Sequence, residues 1–133
     1  MKKLFTLLLL FSLALAGCRH DSDSPTPSDE LAGNWRLTGM QCYCAYDPKI
    51  VEVLTLGDDL QFRLVRDGSL IAQGSYIITQ GSACVGGPVE PYLQLTSTMG
   101  TVPPSGVYVV RNNILTITQC VAVDGPAYTF QRQ

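Results

Sequence analysis

Residues 60–79 read LQFRLVRDGSLIAQGSYIIT, and this stretch carries the clearest structural signal in the chain. Two runs rich in strand-forming residues flank Asp67-Gly68, a dipeptide typical of the tight turn of a β-hairpin. Asn112-Asn113 predicts a second tight turn between two similar runs. Hairpin turns join antiparallel strands, so the sequence predicts antiparallel pairing between strands that are consecutive along the chain.

Short strands of the same kind continue on both sides of this hairpin. No stretch shows a sustained apolar period of 3.6 residues, so no long helix is predicted. Consecutive strands with short connections favour an all-β fold, an eight-stranded antiparallel up-and-down barrel whose closure removes exposed edges. A two-sheet sandwich is the rival, but it usually needs a long crossing connection, and none is evident. The predicted strands are residues 34–44 (with a kink at Gly39), 50–56, 60–65, 70–79, 92–98, 106–111, 114–120 and 128–132.

The N-terminal segment has the features of a lipoprotein signal peptide. Lys2 and Lys3 precede an apolar run over residues 4–16 that is too short to span a bilayer but suits a signal sequence. The next residues, Leu15-Ala16-Gly17-Cys18, resemble the bacterial lipobox. This resemblance implies removal of residues 1–17 and attachment of diacylglycerol and a fatty acid such as palmitate at Cys18. The alternative is an ordinary secretory signal with a chance cysteine at its cleavage site.

A polar segment follows the lipidation site. Residues 18–30 are predicted to be a disordered tether, because after Cys18 they lack large apolar side chains and contain prolines and acidic residues. Arg19 replaces the aspartate of the familiar inner-membrane retention signal, which favours the outer membrane. Loss of Lys2 and Lys3 with the signal changes the formal charge from −2 to −4. Nucleic acid is therefore not an expected partner.

The segment Leu31-Ala32-Gly33-Asn34-Trp35-Arg36-Leu37 resembles the opening strand of lipocalin-like domains, whose signature is Gly-x-Trp. The resemblance implies a lipocalin-like β-barrel domain over residues 31–133. In that family the tryptophan closes the barrel floor and packs against an arginine of the last strand. The matching residues here are Gly33, Trp35 and Arg132.

Four cysteines remain once Cys18 is assigned to lipid: Cys42, Cys44, Cys84 and Cys120. In an oxidising compartment an even set predicts two disulfides. A direct Cys42–Cys44 bond is expected to be strained on an extended strand, so each of the two is predicted to pair with Cys84 or Cys120, in either order. In an up-and-down barrel, the loop that carries Cys84 is expected at the opposite end from Cys42, Cys44 and Cys120. A bond to Cys84 therefore requires this loop to fold back, or the strand count to be wrong by one. A redox pair and a zinc site are the weaker alternatives.

No catalytic constellation is visible in the predicted domain. The single histidine, His20, lies in the tether, and no phosphate-binding loop is present. Glu52 is interpreted as an outward-facing residue of a half-buried strand. The sequence therefore predicts that the protein is not an enzyme and has no metal or cofactor.

The expected function is that of a lipid-anchored, lipocalin-like binding protein of the cell envelope, holding a small apolar ligand inside the barrel. The alternative is a structural or protein-interaction module with a filled core, recognising another envelope protein through loops 80–90 and 99–105. Inward positions that would line a ligand site, or fill the core, are Leu37, Val53, Phe62, Leu64, Tyr76, Tyr92 and Tyr108.

Overall fold

A computed structural model describes residues 27–44 and 46–133 of the 133-residue chain. The predicted signal peptide, Cys18 and most of the predicted tether lie outside the described residues. One short helix, α1 (Pro27–Leu31), is followed by eight strands, and a 3-10 turn, Val121–Val123, precedes the last of them. The strands are β1 (Gly33–Gln41), β2 (Glu52–Leu56), β3 (Gln61–Arg66), β4 (Ser69–Gly81), β5 (Glu90–Ser97), β6 (Gly106–Arg111), β7 (Ile114–Thr118) and β8 (Ala127–Arg132).

The eight strands form a closed barrel in sequence order, each antiparallel to the next. Closure is made by β1 and β8, where Trp35 pairs with Arg132 and Leu37 with Phe130. The register shifts between Leu37 and Gly39, a bulge at the predicted kink. The predicted up-and-down barrel is confirmed, and the sandwich is excluded because the first and last strands pair.

Both predicted hairpin turns are present. Asp67 and Gly68 have φ values of 47° and 79° between β3 and β4, and Asn112 and Asn113 have 51° and 62° between β6 and β7. Positive φ at both central residues matches the right-handed twist of the flanking strands, and Asp, Asn and Gly adopt it at low cost. These turns therefore fix the register of two of the eight strand pairs locally.

The connections divide between two ends of the barrel. We call the end where β1 begins the helix end, because α1 lies there with connections β2–β3, β4–β5 and β6–β7. The other, the loop end, carries the β1–β2, β3–β4, β5–β6 and β7–β8 connections. An up-and-down barrel alternates its connections in this way because consecutive strands run in opposite directions.

The barrel interior is filled by apolar side chains. The members of the core cluster have at most 9 % of their surface exposed, and most have 0–2 %. Trp35, Tyr76, Phe62 and Phe130 supply the largest volumes. The other buried members are Leu31, Leu37, Leu54, Leu56, Leu64, Ala72, Leu93, Leu95, Tyr108, Leu115, Ile117.

The end of the predicted tether is structured, which corrects the expected domain start at Leu31. Pro27–Leu31 is helical, with proline at the first helical position, where its missing N–H costs nothing. Arg132 fixes the helix in place, because its guanidinium donates to the carbonyl oxygens of Ala32 (2.6 Å) and Glu30. The side chain of Leu31 is completely buried. The folded domain therefore includes residues 27–30, which were predicted to be disordered.

Candidate binding surface at one end of the barrel

Trp35 and Arg132 meet at the helix end. The Arg132 guanidinium carbon lies 4.2 Å from the centroid of the Trp35 ring, a cation–π contact. The indole Nε1 donates a 2.7 Å hydrogen bond to the carbonyl oxygen of Leu31. Gly33 has a φ of 142°, and a Cβ there would come within 2.6 Å of Arg132 Nη1, so only glycine fits. The structure thus brings together the three residues that the resemblance singled out, in a closing contact rather than a ligand site.

Glu52 is the one buried polar or charged residue among the described part of the chain, at 6 % exposure. The prediction that the Glu52 side chain faces outward is wrong. In β2 the buried residues alternate, so Glu52, Leu54 and Leu56 point inward while Val53 points outward. Arg66, its partner across the β2–β3 ladder, places both Nε and Nη2 2.8 Å from Glu52 Oε2. The ion pair makes burial of the carboxylate tolerable.

A small cavity of about 150 Å³ opens beside this ion pair at the loop end. Glu52 is one of the residues that line this cavity. The remaining lining is mostly apolar: Leu37, Met40, Tyr46, Asp47, Ile50 and Arg66.

Tyr128 also faces the loop end of the interior. Its ring stacks on Phe130 with centroids 6.2 Å apart. Burial raises the pKa of Tyr128 above its ordinary value of 10.0, and the nearby Glu52 carboxylate raises it further. Burial also raises the pKa of Tyr76, with smaller contributions from Asp59 and Asp58, and the pKa of Tyr108, with a contribution from Glu30.

We expect Glu52→Gln to lower the pKa of Tyr128 while leaving it above 10, because burial is the larger cause and remains. The sign for stability follows from proton binding. A raised folded-state pKa means that the folded state holds the proton longer, so this contribution to stability is present below pH 10 and is lost at higher pH. The variant should therefore lose less stability at alkaline pH. NMR titration of the tyrosine rings measures the pKa, with Tyr108 as the internal control. An unchanged pKa of Tyr128 would contradict the assignment.

Seven of the thirteen exposed large apolar residues in the described part of the chain lie on three connections of the loop end. Tyr43, Val102 and Val123 are 96 %, 87 % and 75 % exposed. We call the set the crown. It consists of Tyr43, Ile50 and Val51 on the β1–β2 connection, Met99 and Val102 on β5–β6, and Val121 and Val123 on β7–β8.

The crown connections are tied to the barrel by polar contacts and buried prolines. Ser105 Oγ accepts a 2.9 Å bond from the Leu95 amide, and Gln119 Nε2 donates to the Ser105 carbonyl oxygen at 3.0 Å. Pro103 and Pro104 are buried beneath the exposed Val102. The β5–β6 connection thus presents Val102 from a fixed base, which lowers the entropic cost of binding.

Five of the seven predicted lining positions are buried in the core, and two are not. Tyr92 and Val53 face outward, because their strand neighbours Leu93 and Leu54 occupy the inward positions. The Tyr76 hydroxyl is used structurally, donating a 2.6 Å bond to the Gly57 carbonyl oxygen. The five buried residues are Leu37, Phe62, Leu64, Tyr76 and Tyr108, and they fill the interior.

The disulfide pairing differs from the prediction. The bonds are Cys42–Cys44 and Cys84–Cys120, so neither Cys42 nor Cys44 reaches another loop. Strand β1 ends at Gln41 and the chain bends over residues 42–44. The Cα atoms of Cys42 and Cys44 are consequently 5.1 Å apart, inside the normal range for a disulfide. The expected strain assumed an extended strand that continues to Cys44, and no such strand is present.

The Cys84–Cys120 bond joins connections from opposite ends of the barrel. The strand count of eight is correct, so the β4–β5 connection folds back along the barrel until Cys84 lies 4.6 Å (Cα–Cα) from Cys120. Cys120 follows Thr118, whose ladder partner is Val107. Val107 does not belong to the core cluster yet is only 6 % exposed, and the disulfide brings Cys84 close to this part of the wall.

No protein-family model, curated protein or solved structure matches this chain in the comparisons made with each. Within residues 27–44 and 46–133, no helix is long and apolar enough to cross a membrane. The same residues contain no group of three or more His, Cys, Asp or Glu placed to hold a metal ion.

Proposed function

We propose that this protein is a lipid-anchored binding protein of the cell envelope that recognises a partner protein through the crown. One observation carries the proposal: the barrel interior is filled by its own side chains, while exposed apolar side chains gather at the loop end. Apolar groups held in water by rigid loops are typical of protein interaction sites. A filled core leaves the barrel as a scaffold for those loops.

The crown lies at the end of the barrel opposite to α1, through which the chain enters the described fold. If the segment before α1 is lipidated at Cys18, the crown is free to point away from the membrane. This orientation favours a protein partner over the lipid surface. The lipobox-like Leu15-Ala16-Gly17-Cys18 and the residue Arg19 support an outer-membrane location.

Replacement of Cys18 by alanine tests the anchor. We expect the variant to lose fatty-acid labelling and to appear in the aqueous phase of a detergent phase separation, because the acyl chains supply the membrane affinity. Cys42→Ser, which leaves the lipidation site intact, is the control and should remain labelled. Continued labelling of Cys18→Ala would refute the anchor without bearing on the crown.

A single lysine makes the crown testable in intact cells. Lys49 is the only lysine after Cys18, and it lies in the β1–β2 connection beside Ile50. An amine-reactive cross-linker should therefore join the folded domain to its partner through Lys49. We expect one discrete protein adduct, which Lys49→Gln abolishes.

The crown itself is tested by a double variant, Val102→Asp with Val123→Asp. Two charges placed in an apolar interface should reduce the Lys49 adduct at least about tenfold, since burying an unpaired carboxylate is strongly unfavourable. Val109→Asp, on the barrel wall at 42 % exposure, is the matched control and should keep the adduct. An adduct that survives in the crown variant at wild-type yield would contradict the proposal.

A small apolar ligand is the second candidate, and the loop-end cavity is the observation in its favour. Its volume of about 150 Å³ is below the range of roughly 300–1,000 Å³ typical of drug-sized ligands. Such a ligand would have few heavy atoms and would contact Leu37, Met40 and Ile50. Native mass spectrometry of the purified protein would detect it as an added mass that Met40→Trp removes.

A further inference from the structure

The Cys42–Cys44 disulfide has no evident structural purpose. A disulfide stabilises a fold by restricting the unfolded chain, and the effect grows with the length of the loop that it closes. Cys42 and Cys44 are separated by 2 positions, against 36 for Cys84 and Cys120. Neither residue of the short pair belongs to a strand or to the core cluster. The bond therefore restrains almost no part of the chain that the strand pairing does not already hold in place.

The same bond is placed where another molecule can reach it. Cys44 is exposed, Cys42 is half-buried, and Tyr43 between them is 96 % exposed. A surface cavity of about 240 Å³ runs beside the disulfide, between the β1–β2 and β7–β8 connections. Its walls are Gln41, Cys42, Tyr43, Val121, Asp124 and Gly125. An extended peptide could lie in this cavity with a sulfur atom next to the bond.

Reduction of the pair would also leave the strand pairing of the barrel intact. Cys42 Sγ lies 3.7 Å from the carbonyl oxygen of Cys44, so a thiol at Cys42 has an acceptor within reach. Opening the bond breaks no strand ladder, because β1 ends at Gln41. Exposed disulfides that can open at little cost to the fold are typically labile, regulatory or catalytic.

We propose that Cys42–Cys44 is a thiol–disulfide exchange site that oxidises dithiols in polypeptides of the cell envelope. A thiolate of the substrate attacks the exposed Cys44 sulfur, forming a mixed disulfide and releasing Cys42 as a thiolate. The second substrate thiolate then attacks its own sulfur in the mixed disulfide and releases the Cys44 thiolate. Two electrons pass from the substrate dithiol, which becomes a disulfide, to the Cys42–Cys44 pair. The two substrate protons are balanced by protonation of the two released thiolates. A low-molecular-weight disulfide of the compartment reoxidises the pair by the reverse steps.

Selective reduction is the first test, on the full chain as purified. The protein is incubated with reduced glutathione, trapped by alkylation, and analysed by peptide mass spectrometry. We expect Cys42–Cys44 to open about tenfold or more faster than Cys84–Cys120, since exchange depends on access to the attacked sulfur. Circular dichroism should stay unchanged after the short bond opens. Simultaneous opening of both bonds, or opening of Cys84–Cys120 first, would overturn the proposal.

Turnover is the second test. A reduced synthetic peptide with two cysteines serves as the substrate, and oxidised glutathione regenerates the enzyme. We expect peptide oxidation to rise with protein concentration and to fall to the uncatalysed rate in Cys42→Ser/Cys44→Ser. Val85→Ser, at a fully exposed side chain of the β4–β5 connection that does not line the cavity, should keep the wild-type rate.

Selective reduction without peptide oxidation would refute the exchange activity, as would unchanged activity in the double serine variant. The exchange cavity shares Tyr43 and Val121 with the crown, but Val102 and Val123 do not line it. Val102→Asp/Val123→Asp should lose the Lys49 adduct and retain glutathione-driven opening of Cys42–Cys44, so the two ideas can fail separately.

Discussion

Replacement of Trp35 by alanine should lower the free energy of unfolding by about 4 kcal/mol, within the range found for large aromatic residues in cores. Trp35 has no exposed surface, so its removal leaves a cavity between the barrel floor and α1. Two specific contacts disappear with it: the hydrogen bond to the Leu31 carbonyl oxygen and the cation–π contact with Arg132, which is worth about 1 kcal/mol. Urea unfolding followed by far-ultraviolet circular dichroism measures the loss, since Trp35 is the sole tryptophan and cannot report on its own removal.

Trp35→Phe is the matched control. It keeps an aromatic ring beneath Arg132 but removes the Nε1 donor and part of the volume, so we expect about half of the alanine effect. A loss of less than about 1 kcal/mol for Trp35→Ala would mean that this side chain does not close the barrel.

Removal of the Cys84–Cys120 bond by two serine substitutions should cost about 4 kcal/mol, the loop-entropy value for a separation of 36 residues. The bond holds the β4–β5 connection against the outer wall near Val107, so the covering loop should also become mobile. Denaturation measures the stability, and amide hydrogen exchange over residues 82–89 measures the loop.

The Cys42→Ser/Cys44→Ser variant is the comparison, because the two residues are only 2 positions apart. The same entropy relation predicts a cost of about 1.5 kcal/mol for this pair. Equal destabilisation by the two double variants would contradict the division into one structural bond and one exchangeable bond.

The barrel could be predicted from local chemistry, because its key signals are local. Asp67-Gly68 and Asn112-Asn113 select the two hairpin turns, and their positive φ values explain why those residue types occur there. Short connections then require neighbouring strands to pair. Arg132 and Trp35 could be related only through the family resemblance, since β8 and β1 are far apart along the chain.

Several differences between the predictions and the structure arise from contacts between residues that are distant in the sequence. Glu52 faces inward because Arg66 on the next strand supplies its charge partner, and a shift of one residue reverses every side chain of a strand. Helix α1 forms because Arg132 binds the carbonyl oxygens of Glu30 and Ala32. The disulfide pairing depends on the path of the β4–β5 connection, which no local pattern specifies.

The crown was only partly visible in the sequence. Loop 99–105 was a candidate and contains Met99 and Val102, whereas loop 80–90 folds back along the wall to Cys120. The β1–β2 connection was missed, because residues 42–44 were read as the end of a strand. Tyr43 and Val123 are far apart in the sequence, and only the closed topology brings these two exposed residues to the same end of the barrel.

Recognition through the crown is tested most directly by a photoreactive amino acid placed at single positions of the full chain in its own cells. Val102 represents the crown, and Ile77, which is 52 % exposed on β4, represents the barrel wall. Illumination should give one discrete protein adduct from position 102 and none from position 77. Adducts from position 77 alone, or no protein adduct from position 102, would contradict recognition through the loop end of the barrel.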